Sequence, residues 1–211
     1  MARDAAFEAH HRRYEDWFEH HAAAYVSELL ALRAFVPWEG DGLEIGVGSG
    51  RFAGPLGVRV GVDPSPAMLQ YAAKRGIEVV EGVGEELPFA ADRFDHVLLV
   101  TTICFLDSPE AMVAESRRVL RPGGRLVIGF IDRESPLGQV YAKHRHENVF
   151  YRDANFYSVE EVAAILDDGG FRVNAWGQTL SHSPGQMGEI EPLRSGAGQC
   201  AFVVVSAINE G

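Results

Sequence analysis

The stretch Leu43-Glu44-Ile45-Gly46-Val47-Gly48-Ser49-Gly50-Arg51-Phe52 decides the fold of this 211-residue chain. A short strand-like run meets three glycines at alternate positions, and a second apolar run, Val58 to Val62, ends on the acidic Asp63. Glycine lets a chain turn sharply off a strand end and lets a ligand come close to the backbone. A carboxylate at the carboxyl end of the next parallel strand can accept hydrogen bonds from both hydroxyls of a ribose. The pattern predicts a nucleoside-binding βαβ unit. The segment after Ser49 is expected to open a helix whose free N–H groups favour a carboxylate or phosphate.

Spacing separates two classes of nucleoside. The dinucleotide pattern Gly-x-Gly-x-x-Gly fails here because position 51 is Arg, where a third glycine would let helix and strand pack closely. Glu44 would repel a pyrophosphate, yet it can hold the loop's N–H groups or approach a ligand ammonium. Both residues disfavour an NAD(P)-dependent oxidoreductase and favour a nucleoside with a zwitterionic tail.

Five segments in order, LEIGVGSGRF, GVDPSPAML (Gly61 to Leu69), EELPF (Glu85 to Phe89), FDHVLLV (Phe94 to Val100) and LRPGGRLVIG (Leu120 to Gly129), resemble the motifs of class I S-adenosylmethionine-dependent methyltransferases. The match is to the small-molecule branch that includes ubiquinone and menaquinone methyltransferases, over residues 40–177. The resemblance implies an α/β fold: a doubly wound, seven-stranded, mostly parallel sheet whose last two strands form an antiparallel hairpin. It implies that Glu44, Gly46, Gly48 and Gly50 cradle the methionyl part of S-adenosylmethionine, that Asp63 takes the ribose, and that Pro64 and Met68 pack against adenine. The family's Gly-Asp-Ala-like step after the third strand reads Gly82-Val83-Gly84-Glu85 here, which leaves adenine to the Gly84 backbone and the Glu85 side chain.

After the fourth strand comes Thr101-Thr102-Ile103-Cys104-Phe105, expected at the sheet's switch point with Thr101 toward the cofactor and Thr102, Cys104 and Phe105 toward the acceptor. The Asn/Asp-Pro-Pro-Tyr/Phe segment of enzymes that methylate DNA amino groups is absent. Phe105 can face a sulfonium by cation–π attraction or serve as plain pocket wall. Methyl transfer from a sulfonium needs no covalent enzyme intermediate, so Cys104 reads as structural.

A chain with 46% hydrophobic residues can build one substantial core. No apolar run reaches membrane-spanning length and no basic, apolar leader opens the sequence, so neither a membrane partner nor a signal peptide is expected. Cys104 and Cys200 offer neither a metal spacing nor a disulfide framework, and a reducing cytoplasm is the default compartment. The net charge of −11 argues against nucleic acid as a partner. A small-molecule substrate and a monomer or homodimer are expected.

Residues Asp4 to Phe35 lack Pro and Gly and carry aromatic residues near helical spacing, predicting one or two helices that end before Pro37. Residues 1–36 thus read as a helical lid and 37–211 as the cofactor-binding domain. Strands are predicted near 42–47, 58–62, 77–81, 95–101, 124–131, 171–178 and 199–207, with helices near 50–55, 66–75, 109–120 and 158–168. Ser65-Pro66 and Ser108-Pro109 supply N-caps followed by Pro at the first helical position. Pro122-Gly123-Gly124 should break the chain before the fifth strand.

Tyr14-Glu15-Asp16-Trp17-Phe18 resembles the lid segment of many small-molecule methyltransferases, which places Tyr14 and Trp17 over the pocket. The adjacent pairs His10-His11 and His20-His21 point in different directions on a helix and do not converge on a metal. Residues 132–157 and 178–199 read as long loops shaping the acceptor pocket. In the second loop, His182, Glu189 and Glu191 could attract an ammonium and take its proton, which favours an amine acceptor among N, O, S and C. His182 and His21 are the candidate general bases. A protein that binds the cofactor without transferring the methyl group is the alternative from another class.

Overall fold

Each apolar run at the centre of the chain is buried on both faces, as a parallel sheet between two helical layers requires. The computed structural model describes residues 5–211, so Asp4 and the residues before it lie outside the described residues. Along β4 (Phe94–Val100), Val97 and Leu99 join one core while Leu98 and Val100 join the other. The same alternation runs along β5 (Leu120–Ile131) and β8 (Phe202–Asn209). With β1 (Gly42–Ile45), β2 (Val60–Asp63), β3 (Glu78–Glu81), β6 (Phe171–Thr179) and the two-residue β7 (Arg194–Ser195), these strands form one sheet in the order β3-β2-β1-β4-β5-β8-β6-β7. The first five are mutually parallel, and β8 runs antiparallel between β5 and β6. The sheet therefore has eight strands, one more than expected, the addition being β7 against the edge of β6.

Helix starts follow the capping residues. Ser65, Ser108 and Ser135 each accept a backbone N–H and precede Pro at the start of α4 (Pro66–Lys74), α5 (Pro109–Val119) and α6 (Pro136–His144). Helix α7 (Val159–Asp168) begins with a reciprocal Ser158–Glu161 capping box. Three expectations need correction. The helix expected at 50–55 is a single turn, α3 (Ala53–Leu56), because Gly54 and Pro55 are poor helix formers and Gly57 closes the turn at φ +78°. Pro122-Gly123-Gly124 does not precede β5 but forms a bulge within it, Leu120 pairing with Phe94 before the register jumps to His96 opposite Arg125. Helix α6 also occupies part of the segment read as a loop.

The chain before the sheet forms two helices, α1 (Ala5–His20) and α2 (Ala22–Arg33), parted at His21. Helix α2 reaches the sheet through Gly129, where a Cβ would lie 2.6 Å from the Phe202 ring and 3.1 Å from Leu32 Cδ2. Helix α1 is tied down by charge. Glu15 accepts hydrogen bonds from Arg51 at 3.0 Å and Arg75 at 2.6 Å, and Glu8 accepts from the Ser65 hydroxyl and from Ala67 N–H at 3.0 Å. Burial alone would raise the Glu15 carboxyl, but the Ser49, Arg75 and Arg51 side chains together outweigh this and hold it below the ordinary range.

Two outcomes follow. Gly50 sits at φ +80° with the Ile77 side chain and Ala72 against it, so Gly50→Ala should lower stability by about 1–3 kcal/mol in urea unfolding. Glu15→Ala should free α1, seen as faster amide exchange across 5–20. Because the Glu15 carboxyl is depressed, its contribution in the unmutated protein is present above its unfolded pKa of about 4.3 and is lost as pH falls through the lower folded value. The mutation should therefore change exchange strongly at neutral pH and little at the acid end.

Candidate active site

At the carboxyl ends of β1 and β4 the chain parts in opposite directions, toward β2 and toward β5, leaving the crevice in which α/β sheets bind ligands. Gly46 ends β1 at φ +68° and lies against Thr102, whose side chain a Cβ at Gly46 would overlap. Gly48 follows at φ +50°, and a Cβ there would lie 3.4 Å from Met68 Cε and 3.7 Å from the Tyr14 hydroxyl. The Asp63 carboxylate accepts from Gly48 N–H at 2.8 Å through one oxygen and from Ser65 N–H at 2.9 Å through the other. Thr101 ends β4 at φ +50°, a strained conformation for a β-branched residue, with its N–H donated to Gly129 O at 2.7 Å. Its hydroxyl donates to Val100 O at 2.8 Å.

Above these strand ends lies a cavity of about 290 Å³. Gly46, Gly48, Asp63, Pro64, Met68, Gly84, Glu85 and Thr101 line one part of it, and Tyr14, Trp17, Thr102 and Phe105 line it from above and beside β4. Phe7, Tyr14, Phe150 and Phe105 meet edge to face or tilted, with centroids 5.1–6.0 Å apart, and Phe105 stacks on Tyr151 at 6.1 Å. Glu85 Oε1 accepts from Asp107 N–H at 2.8 Å and weakly from Ser108 N–H, so this oxygen braces the β4–α5 connection. Val83, at the position where the family carries Asp, also lines the cavity.

Six other candidates lie outside the lining. Glu44 is buried beneath the glycine loop; burial raises its carboxyl well above the usual range against the pull of the Ala53 N–H, and Oε2 has no hydrogen-bond partner. Gly50 packs on α4. Cys104 is buried behind the cavity and donates its thiol to Thr101 O at 3.2 Å. His21 donates Nδ1–H to Trp17 O at 3.0 Å and stacks on the Trp17 ring. His182 turns outward and pairs with Glu191 Oε1 at 2.8 Å, its side chain 69% exposed. Glu189 is exposed on the same loop. The pair His182–Glu191 is therefore a surface brace, with Glu191 also accepting from Ser181 N–H at 2.6 Å.

Sequence reasoning missed a lining residue of a different kind. Glu28, in the middle of α2, is 5% exposed and faces the cavity with Tyr141 and Tyr151. Burial pushes its carboxyl up to about 8. A signal was present in the sequence: Glu28 is a lone acid among Ala24, Ala31 and Leu32 on the apolar face of AAAYVSELLALR. Among the described residues no group of His, Cys, Asp and Glu could hold a metal, and no helix is long and apolar enough to cross a membrane.

Residues 43–128 match the methyltransferase-domain family. A solved structure from Thermotoga maritima, described as a SAM-dependent methyltransferase and possible histamine N-methyltransferase, is 45% identical and superposes with a TM-score of 0.95, covering 98% of this chain and 99% of its own. An uncharacterized protein of Methanocaldococcus jannaschii is 41% identical over 201 residues, 95% of this chain and 97% of that protein. A demethylmenaquinone methyltransferase of Tropheryma whipplei is 28% identical over 160 residues, 64% of this chain and 67% of that protein. With the glycine loop at the switch point and Asp63 at the end of β2, these similarities show that the chain belongs to the S-adenosylmethionine-dependent methyltransferases.

Proposed function

We propose that the protein transfers a methyl group from S-adenosylmethionine to a compact small molecule, with an amine as the favoured acceptor. The observation that carries this reading is the continuity of one cavity from the glycine loop and Asp63 to a chamber walled by aromatic side chains from α1, α6 and residues 148–151. A polymeric acceptor would need an open groove, and the aromatic roof closes over the strand ends instead. The similar Thermotoga protein is described as a possible amine methyltransferase, which supports the same class here.

The residues present fit the cofactor. Gly48 leaves room between Met68 and Tyr14 that a side chain would fill. Asp63 accepts N–H groups from the loops after β1 and β2 and lines the cavity at the end of β2, where a carboxylate can accept from ribose hydroxyls. Pro64 and Met68 offer apolar surface to the adenine, and the Gly84 backbone and Glu85 border it. When bound, S-adenosylmethionine supplies an electrophilic methyl on a positive sulfur. This chain's residues orient the acceptor and exclude water, and orientation alone can supply up to roughly 7–11 kcal/mol of barrier reduction. Tyr14, Trp17 and Phe105 form the wall over the strand ends, with ring faces able to stabilise positive charge by about 0.5–2 kcal/mol. Helix α1 acts as the lid, and ligands enter when its Glu15 and Glu8 ties open. His21 and His182 are not required as bases, since both are engaged elsewhere.

A protein that only bound the cofactor would have no use for the aromatic chamber next to it, which favours transfer over storage. Calorimetric titration checks the reading. S-adenosylmethionine and S-adenosylhomocysteine should bind in the micromolar range, and Asp63→Ala should weaken both by about 10–100-fold. Binding of NAD(H) in their place would sink the assignment of the glycine loop. Formation of S-adenosylhomocysteine with small amines, and not with protein or nucleic acid, would support the acceptor class.

A further inference from the structure

Three carboxylates on the N-terminal helices have different fates. Glu8 caps the start of α4 and Glu15 joins Arg51 to Arg75. Glu28 has no hydrogen bond or ion pair among the described residues, although it is 95% buried. It faces the cavity from a fixed position. One turn further on, Leu32 is seated over Gly129, and the preceding Ser27 donates to Ala23 O and accepts Glu191 N–H at 2.9 Å. Tyr14, Tyr141 and Tyr151 line the same cavity with no hydroxyl hydrogen bond among the described residues, and all three hydroxyls feel the Glu28 charge, Tyr14 least because its hydroxyl lies beside Gly48. Arg13 also lines the cavity, with its guanidinium 5.9 Å from the Phe150 ring centre, while Asp63, Glu85 and Asp107 line it at the proposed cofactor end.

A buried carboxyl without partners destabilises a fold, and nothing packed around Glu28 offsets that cost. Such a group in a cavity points to a ligand that completes it. The aromatic wall sets the ligand's body as compact and apolar, and the acid, with tyrosines on the same cavity, sets its polar end as a donor with positive charge.

We propose that Glu28 is the acceptor-recognising group of this enzyme: its carboxylate pairs with the nitrogen of a primary or secondary amine and takes one proton from it before methyl transfer. This rests on the methyltransferase reading above and adds the residue that selects an amine. The ammonium N–H bond breaks, the proton moves to a Glu28 carboxylate oxygen, and the electron pair stays on nitrogen. That lone pair forms the new N–C bond as the methyl carbon–sulfur bond breaks, and the bonding pair remains on sulfur. The methylated amine leaves with the positive charge and Glu28 keeps the proton it took, the one proton lost overall having passed to solvent when the ammonium bound. Tyr14, Tyr141 and Tyr151 remain neutral throughout, because burial raises all three hydroxyls, and they act as donors and acceptors around the nitrogen.

In the empty site burial keeps the Glu28 carboxyl protonated at pH 7, since it is pushed up to about 8. Whether a bound amine keeps its charge opposite a carboxylate or loses it beside a carboxyl, the complex holds one proton fewer than free protein plus free ammonium. Titration calorimetry at pH 7 in two buffers of different ionisation enthalpy reads this directly. The protein is saturated with S-adenosylhomocysteine, and the probes are benzylamine, 2-phenylethylamine and tyramine, each beside the alcohol of the same carbon skeleton. At least one amine should bind about tenfold or more tightly than its alcohol and release about one proton. Glu28→Gln should abolish both the preference and the proton release and leave S-adenosylhomocysteine affinity unchanged.

The proposal is overturned if the Gln variant keeps amine affinity and proton release, or if no amine binds better than its alcohol. Failure of the unmutated protein to bind S-adenosylhomocysteine overturns the underlying methyltransferase reading as well, and so is distinguishable from failure of the Glu28 role. A folding control is built in. With its pKa raised from the unfolded value of about 4.3, Glu28 lowers native stability as pH rises toward 8, so the Gln variant should gain in Tm over the unmutated protein between pH 5 and pH 8. Should that variant fail to fold, proton release by the unmutated protein decides the matter.

Discussion

The grip of Asp63 on the two loops beside it is the constraint on which the rest of the site depends. One oxygen holds Gly48 N–H and the other holds Ser65 N–H, so the loop leaving β1 and the turn leaving β2 are set by a single carboxylate. Charge-assisted bonds of this kind are stronger than neutral ones, and both lie in a buried setting. Because Gly48 is held at positive φ, its face stays open toward Met68 and Tyr14; because Gly46 is crowded by Thr102, the ends of β1 and β4 stay in contact. The crevice is therefore held by hydrogen bonds and packing within the protein itself, the kind of support that preorganisation requires.

The roof over that crevice obeys a different logic. Helix α1 contributes an apolar, aromatic underside, but its attachment comes from carboxylates at its rim: Glu15 toward Arg51 and Arg75, Glu8 toward Ser65 and Ala67. Arg51, which takes the place of the third glycine in a dinucleotide loop, is thus free of any duty toward a pyrophosphate and reaches up to the lid, crossing the Phe18 ring at 5.1 Å on the way. Helix α1 is thus fastened by ionic contacts at its rim, whereas the buried contact of Leu32 with Phe202 and Gly129 anchors α2. The two N-terminal helices are therefore held by different forces, α1 by charge at its rim and α2, which bears Glu28, by apolar packing on the sheet.

Legibility in the sequence followed the range of the forces involved. The βαβ unit, the strand–helix alternation and the starts of α4 and α5 depend on local chemistry, namely glycine conformations, apolar period and Ser-Pro caps, and these were readable. The start of α6 carries the same Ser135-Pro136 signature and was readable by the same rule, but the aromatic and histidine content of 132–157 drew the reading toward a loop. Side-chain direction was not readable. His182 and Glu191 looked like pocket groups in a long loop, yet each satisfies the other at the surface. Glu28 was visible as an acid on an apolar helical face, but its position over the cavity depends on how α2 docks at Gly129, which no local pattern encodes.

Electrostatics links the acceptor's chemistry to the cofactor's. A net charge of −11 favours the approach of cations over anions. Inside the cavity the situation changes, because an ammonium would stand near a sulfonium in a low-dielectric space where like charges repel strongly. That repulsion lowers the ammonium pKa, while a nearby carboxylate raises it. Glu28, itself displaced upward by burial, holds a proton more tightly than a solvated carboxylate does, which narrows the gap in proton affinity to an amine so perturbed. A fully solvated carboxylate in the same place would be a weaker base, and a histidine that took the proton would keep a positive charge in the cavity beside the sulfonium. A desolvated acid on α2, sharing its cavity with neutral tyrosines, is the group that can neutralise the incoming charge and then hold the proton while the nitrogen reacts.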